Sequence, residues 1–150
     1  MPSRLAVLVF FTSVSTLAAG QQDLFQEAVE SYQHKQYDEA LSLAGQALQA
    51  DGNNPAYLHL HGVILASLRR LDSAEDDFRR AVALAPDQPV YALDLGALLH
   101  NERKYADAVP VLTRAVDLAP ENLIARMLLA RSYVFSYNVL KLPNLSLIHI

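Results

Sequence analysis

The sequence predicts an all-α chain, a solenoid of helix-turn-helix units, on three observations. Residues 80–89 read RAVALAPDQP and residues 114–122 read RAVDLAPEN. The step between the two phrases is 34 residues; the same step carries Ala81 to Ala115, Pro86 to Pro120 and Gly62 to Gly96, and one step back lies a looser copy, QALQADGNN, at Gln46 to Asn54. A fixed period of this length marks a repeat architecture, in which each unit buries its apolar face on its neighbours. Within each copy, apolar residues recur at spacings of three and four, as on a helix with one buried face.

The second copy shows the unit most fully. Tyr57, Leu58, Val63, Ile64, Leu65 and Leu68 supply the apolar part of a first helix. Arg69, Arg70, Leu71 and Asp72 read as a turn, and Ala74, Phe78, Ala81, Val82 and Leu84 as a second helix ended by Pro86. Asp72, Glu75, Asp76 and Asp77 fall in its early turns, where the helix dipole favours negative charge. Glu75 with Arg79 and Asp76 with Arg80 are pairs four apart, worth about 0.2–0.5 kcal/mol each. The acidic run reads as a solvated helix face, with a docking patch as the alternative. Small residues mark where the two helices meet: Gly62 and Ala74, Gly96 and Ala108, Ala28 and Ala40. Glycine inside a helix costs about 1 kcal/mol against alanine, so close packing must be the reason for it. Seven helices in antiparallel pairs are expected between residue 21 and about 136, with no strand.

These residues carry a resemblance. The chain is similar to the tetratricopeptide repeat family, with Leu58, Gly62, Leu65, Leu71, Ala74, Phe78, Ala81 and Pro86 in the family's order in copy two. Copy three shows Ala92, Leu95, Gly96, Leu99, Tyr105, Ala108, Leu112, Ala115 and Pro120, and copy one Leu24, Ala28, Tyr37, Ala40, Ala44 and Ala47. The resemblance implies a right-handed α-solenoid with repeats at 21–54, 55–88 and 89–122 and the first helix of a truncated fourth at 123–136. Copy one departs in having Gly52 where the others have proline, and Glu27 where copy three has Leu95. Pro110 costs little near a helix start and would kink the helix deeper in.

Both ends differ from the repeats. Residues 1–20 hold one Arg, an apolar run from Leu5 to Phe11 and small residues at Ala18-Ala19-Gly20, the layout of a signal peptide cleaved before Gln21. An uncleaved anchor or a buried first helix is the alternative. Export to the periplasm or the exterior follows from this reading, with no stable membrane insertion after cleavage. Residues 137–150 carry no repeat signature and are expected to be irregular or poorly defined after about Tyr137. Their last six, LSLIHI, match the translated end of a transposon-derived sequencing adapter. The tail is therefore read as artefactual in part and the chain as a piece of a longer one; a short apolar tail docked on the last helix is the alternative.

Composition narrows function. The net charge of −4 with 12 Lys and Arg argues against a nucleic-acid partner. With no Cys there is no disulfide, thiolate metal site or cysteine nucleophile. His59 and His61 point to opposite sides of a helix and cannot share a metal, and no cofactor is expected. Nucleophile-elbow, phosphate-loop and zinc motifs are lacking, so the chain is read as no enzyme. The resemblance implies a scaffold that holds a protein or peptide in a concave groove lined by the first helix of each pair. The corresponding positions are Phe25, Val29, Tyr32 and Gln33; His59, Val63 and Ala66; Leu93, Ala97, His100 and Asn101; and Arg131. A subset of the family clamps a C-terminal carboxylate with Lys and Asn. Here Phe25 and Val29 stand at the first two clamp positions, so aliphatic anchors are expected to suit the groove better than acidic tails. The alternative function is the N-terminal repeat arm of a larger exported protein with its effector domain elsewhere.

Overall fold

A computed structural model describes residues 23–141. The expected signal segment, its cleavage point and the tail from residue 142 lie outside them. Among the described residues there are seven helices and no strand: α1 at 23–33, α2 Tyr37–Ala50, α3 Pro55–Ser67, α4 Leu71–Leu84, α5 Pro89–Asn101, α6 Tyr105–Leu118 and α7 Leu123–Lys141. The architecture is an all-helical repeat solenoid. Its hairpins α3–α4 and α5–α6 are each packed along their length, and each second helix packs on the first helix of the next unit. No helix among the described residues is long and apolar enough to cross a membrane.

Each hairpin turns on one basic residue with left-handed backbone: Lys35, Arg69 and Arg103, at φ of 62°, 62° and 63°. That conformation costs an L-residue about 1–2 kcal/mol. Two hydrogen bonds offset it at each turn. The amides of Gln36, Arg70 and Lys104 reach back to the carbonyls of Ser31, Leu65 and Leu99 at 2.9 Å; those of Lys35, Arg69 and Arg103 reach Tyr32, Ala66 and His100. The last carbonyls of the first helix are thus satisfied. This closure is tighter than the sequence suggested, so Leu71 and Asp72 belong to α4 rather than to the turn.

The links between units are built differently. Pro55 and Pro89 stand at helix starts, where a missing N–H is no loss. The Asn54 side chain caps α3 by accepting from the amides of Ala56 and Tyr57, and Asn122 accepts from Ala125 at 3.1 Å. The repeated arginine has its role here. Arg80 Nη2 donates to the Gly52 carbonyl and Arg114 Nε to the Pro86 carbonyl, both at 2.8 Å, so each second helix is tied to the linker before its unit. Arg80 therefore does not form the expected pair with Asp76; its nearest carboxylate is Asp77, at 3.9 Å.

Glycine sets the spacing inside each hairpin. A Cβ added at Gly62 would lie 2.8 Å from the Phe78 ring, and one at Gly96 would lie 2.5 Å from Leu112. Phe78 and Leu112 are buried, and with Leu65, Leu95, Leu98 and Leu99 they form a core that runs through α3, α4, α5 and α6. Pro110 sits inside α6 without ending it. The carbonyl it leaves without an intrahelical partner is that of Ala106, and both residues are exposed, so water can serve it.

The acidic run is only in part a solvated face. Asp72 and Asp76 are exposed, but Glu75 and Asp77 are half-buried and engaged. Glu75 Oε2 accepts from Lys104 Nζ of the next unit at 2.6 Å, and its other oxygen accepts from Arg79 at 2.8 Å. The Lys104 ammonium, with Arg79, holds the Glu75 carboxyl below its usual range. Lys104 also lies 3.2 Å from Glu102 Oε2, a charge contact rather than a hydrogen bond. Asp77 accepts from His61 Nδ1 at 2.5 Å.

The last helix corrects an expectation. Residues after about Tyr137 were expected to be irregular or poorly defined; α7 runs on to Lys141, and the rest of that stretch lies outside the described residues. No Gly or Pro interrupts the chain between Leu123 and Lys141, so nothing in that stretch breaks the helix. Among the described residues no helix covers its outer side. Ala130 and Tyr133 occupy the positions of Gly62 and Leu65, and of Gly96 and Leu99, which α4 and α6 cover in the earlier units. Here Ala130 is exposed and Tyr133 is 52% exposed.

Candidate groove on the first helices

The first helices α1, α3 and α5 meet over a depression of about 350 Å³. Tyr32 comes from α1, Val63, Ala66 and Ser67 from α3, and Asp94, Leu98 and Asn101 from α5. Its remaining wall is Phe78, a second-helix residue that packs over Gly62. A side chain at residue 62 would collide with that ring, so the helix spacing and this wall share one cause. The Tyr32 hydroxyl lies 3.4 Å from Ser67 Oγ, which itself donates to the Val63 carbonyl at 3.0 Å.

One charged side chain stands among the described residues of this lining, Asp94. Its Oδ2 is 2.7 Å from His59 Nε2. An ionised carboxylate only accepts, so His59 carries its proton on Nε2. The imidazole in turn lies against Tyr91 and Phe78, with ring centroids 4.7 and 5.7 Å away.

Of the positions expected to line a groove, the structure brings Tyr32, Val63, Ala66 and Asn101 together around this depression, with His59 on its rim through Asp94. The others lie elsewhere. Phe25 stacks on Tyr57 with centroids 5.1 Å apart, joining α1 to α3. Leu93 packs against the core. Val29 and Ala97 are half-buried outside the lining, and Gln33 and Arg131 are exposed outside it. His100 is withdrawn from the groove. It is 7% exposed, with Nδ1 2.8 Å from Ser132 Oγ on α7 and its ring edge-on to Tyr105 at 5.3 Å.

Ser67, Phe78, Asp94 and Leu98 were not among the expected positions. Ser67 shares the register of Gln33 and Asn101, which were expected, and Phe78 lies on a second helix. For Asp94 and Leu98 the reason is geometric. A depression between two helices takes the forward flank of one and the rear flank of the next. Mapping one set of positions onto every copy therefore selects Leu93 and Ala97 in α5, while the wall is made by Asp94 and Leu98. A polar residue at 94, where copy two has Leu60, is the one signal in the sequence.

Comparison with known proteins agrees with this architecture. A family model described as tetratricopeptide repeat matches residues 25–89 and 93–134. The chain is 39% identical over 69 residues to the peptidyl-prolyl cis-trans isomerase FKBP42 of Arabidopsis thaliana, covering 46% of this chain and 19% of that protein. It is 26% identical over 114 residues to the small glutamine-rich tetratricopeptide repeat-containing protein 2 of Mycosarcoma maydis, covering 76% and 32%. The chain thus spans less than a third of the length of either relative. Among solved structures, the first such domain of Spaghetti (RPAP3), bound to the HSP90 peptide SRMEEVD, superposes with a TM-score of 0.74. That match has 23% identity and covers 78% of this chain and 93% of the other; it supports the fold.

The seat of His100 generates a pH dependence. Burial, and then the charge of Arg131, push its pKa below the ordinary value of 6.5. The unfolded chain therefore takes up this proton first as pH falls. The stability contributed by neutral His100 is fully present above 6.5 and is lost as pH falls from there through the lowered folded-state pKa. His100→Gln keeps a hydrogen-bonding side chain that does not titrate. Urea midpoints measured from neutral to mildly acid pH are expected to fall less steeply for His100→Gln than for the parent. Parallel curves would show that His100 does not contribute.

Proposed function

This chain belongs to the tetratricopeptide repeat family, and from that premise we propose that it is an exported protein-interaction scaffold holding a peptide segment of a partner along α1, α3 and α5. The observation that carries the reading is the depression where Tyr32, Val63, Ala66, Phe78 and Leu98 present apolar surface between three helices. Ser67 and Asn101 at its edge offer hydrogen bonds to a peptide backbone. Apolar walls with a few polar groups suit a segment anchored by aliphatic side chains. The role is one of binding rather than catalysis.

The acidic tail found on the similar HSP90-peptide complex does not suit this surface. Phe25 is committed to Tyr57 where the clamp would need a cation, and the charged group of the lining is itself a carboxylate. A second reading, the arm of a larger protein, has its own support in the open side of α7. There Leu123, Ile124 and Met127 are exposed, a surface on which further helices would pack.

A peptide-library selection on the protein is expected to recover segments with aliphatic anchors, and Val63→Glu to weaken their binding at least about tenfold by burying a charge against them. Recovery of acidic tails that require a free C-terminal carboxylate would reject the reading. Export rests on residues 1–20, and mass spectrometry of secreted or periplasmic material is expected to show an N-terminus at Gln21. Recovery of the protein only from the cytoplasm, with Met1 intact, would count against export.

A further inference from the structure

Resting on the groove reading above, we propose that Asp94 gives the groove a charge preference, so that the segment it takes carries an arginine or lysine beside its aliphatic anchors. Three observations point there. The carboxylate is the charged group among the described lining residues, on a chain of net charge −4. It is also still available. Oδ2 is held by His59 at 2.7 Å, Oδ1 has no partner among the described residues, and the side chain is 36% exposed. One hydrogen bond therefore fixes its direction without closing it off.

The third observation comes from the repeat. Positions one period away are Leu60 and Leu128, and both pack against apolar core. The fold accepts leucine at this register, and an exposed glutamine, Gln26, in the first unit, so the hairpin does not require a carboxylate. Asp94 is thus a departure placed where the first helices face the depression. A long cationic side chain can lie with its methylenes along Val63, Ala66 and Leu98 while its head meets Asp94. An anionic side chain in the same place would meet a like charge within a few ångströms, in a setting less screened than open water.

The test uses three blocked, leucine-rich peptides, identical except for Arg, Gln or Glu at one central position. Binding to the full chain, to Asp94→Asn and to Val63→Glu is read by fluorescence polarisation. Asparagine can still accept from His59, so Asp94→Asn keeps the bridge between helices and removes the charge. The arginine peptide is expected to bind the parent roughly five- to tenfold tighter than the glutamate peptide. For Asp94→Asn the two are expected to come within about twofold, while Val63→Glu weakens all three. Equal binding of the three peptides by the parent, or a preference that survives Asp94→Asn, would overturn the proposal and leave the groove standing; Asp94 would then be a bridge between helices and nothing more. No binding by any of the three would overturn the groove reading and this inference together.

Discussion

The structure depends on how closely the two helices of a hairpin approach at Gly62 and Gly96. A Cβ at either position would sit within 2.8 Å of a buried side chain of the opposite helix. Leaving it out costs helix propensity, about 1 kcal/mol per glycine. Burying Phe78 or Leu112 in the space returns about 1.5–3 kcal/mol each, so the exchange favours the close pair. In the second unit the same gap places the Phe78 ring against the depression, so that wall is a by-product of the packing that holds the hairpin. The first unit manages with Ala28 against Ala40 and Ala44, small on both sides.

The units are joined by polar contacts as well as by the shared core. Arg80 and Arg114 each bond the linker before their unit, and Lys104, in the turn of the third unit, reaches back to Glu75 on α4. Each tie links neighbours, as expected where stability is a sum of units and the interfaces between them. Beyond α6 these ties give way to the seat of His100 on Ser132, with Tyr105 stacked on Phe135 at 4.9 Å. A helix held on one side in this way stays apolar on the other, which is why Leu123 and Ile124 face outward.

Much of the fold was legible because it repeats. The period placed the seven helices, and the small residues at 62, 74, 96 and 108 marked the inside of the hairpins. What escaped depended on contacts between units or on backbone conformation. Lys35, Arg69 and Arg103 gave no sign of left-handed turns, since basic residues are not the usual choice where φ is positive. The engagement of Glu75 required knowing that Lys104, 29 positions on, would fold over it. Part of the groove was legible, through Tyr32, Val63, Ala66 and Asn101. The burial of His100 and the placement of Asp94 and Leu98 were not, because they follow from which flank of α5 meets its neighbours.

The central claim is that close approach at the glycines, rather than helix propensity, holds the hairpins together. Two matched substitutions separate these causes. Gly45 lies inside α2 with nothing within 4 Å of an added Cβ, whereas Gly96 meets buried Leu112 at 2.5 Å. If packing governs, Gly45→Ala gains about 0.5–1 kcal/mol from propensity alone. Gly96→Ala loses on the order of 1 kcal/mol or more, because overpacking costs about 1–3 kcal/mol and exceeds the same gain. Urea unfolding of the two variants beside the parent measures both shifts. A midpoint that rises for Gly96→Ala as it does for Gly45→Ala would contradict the account.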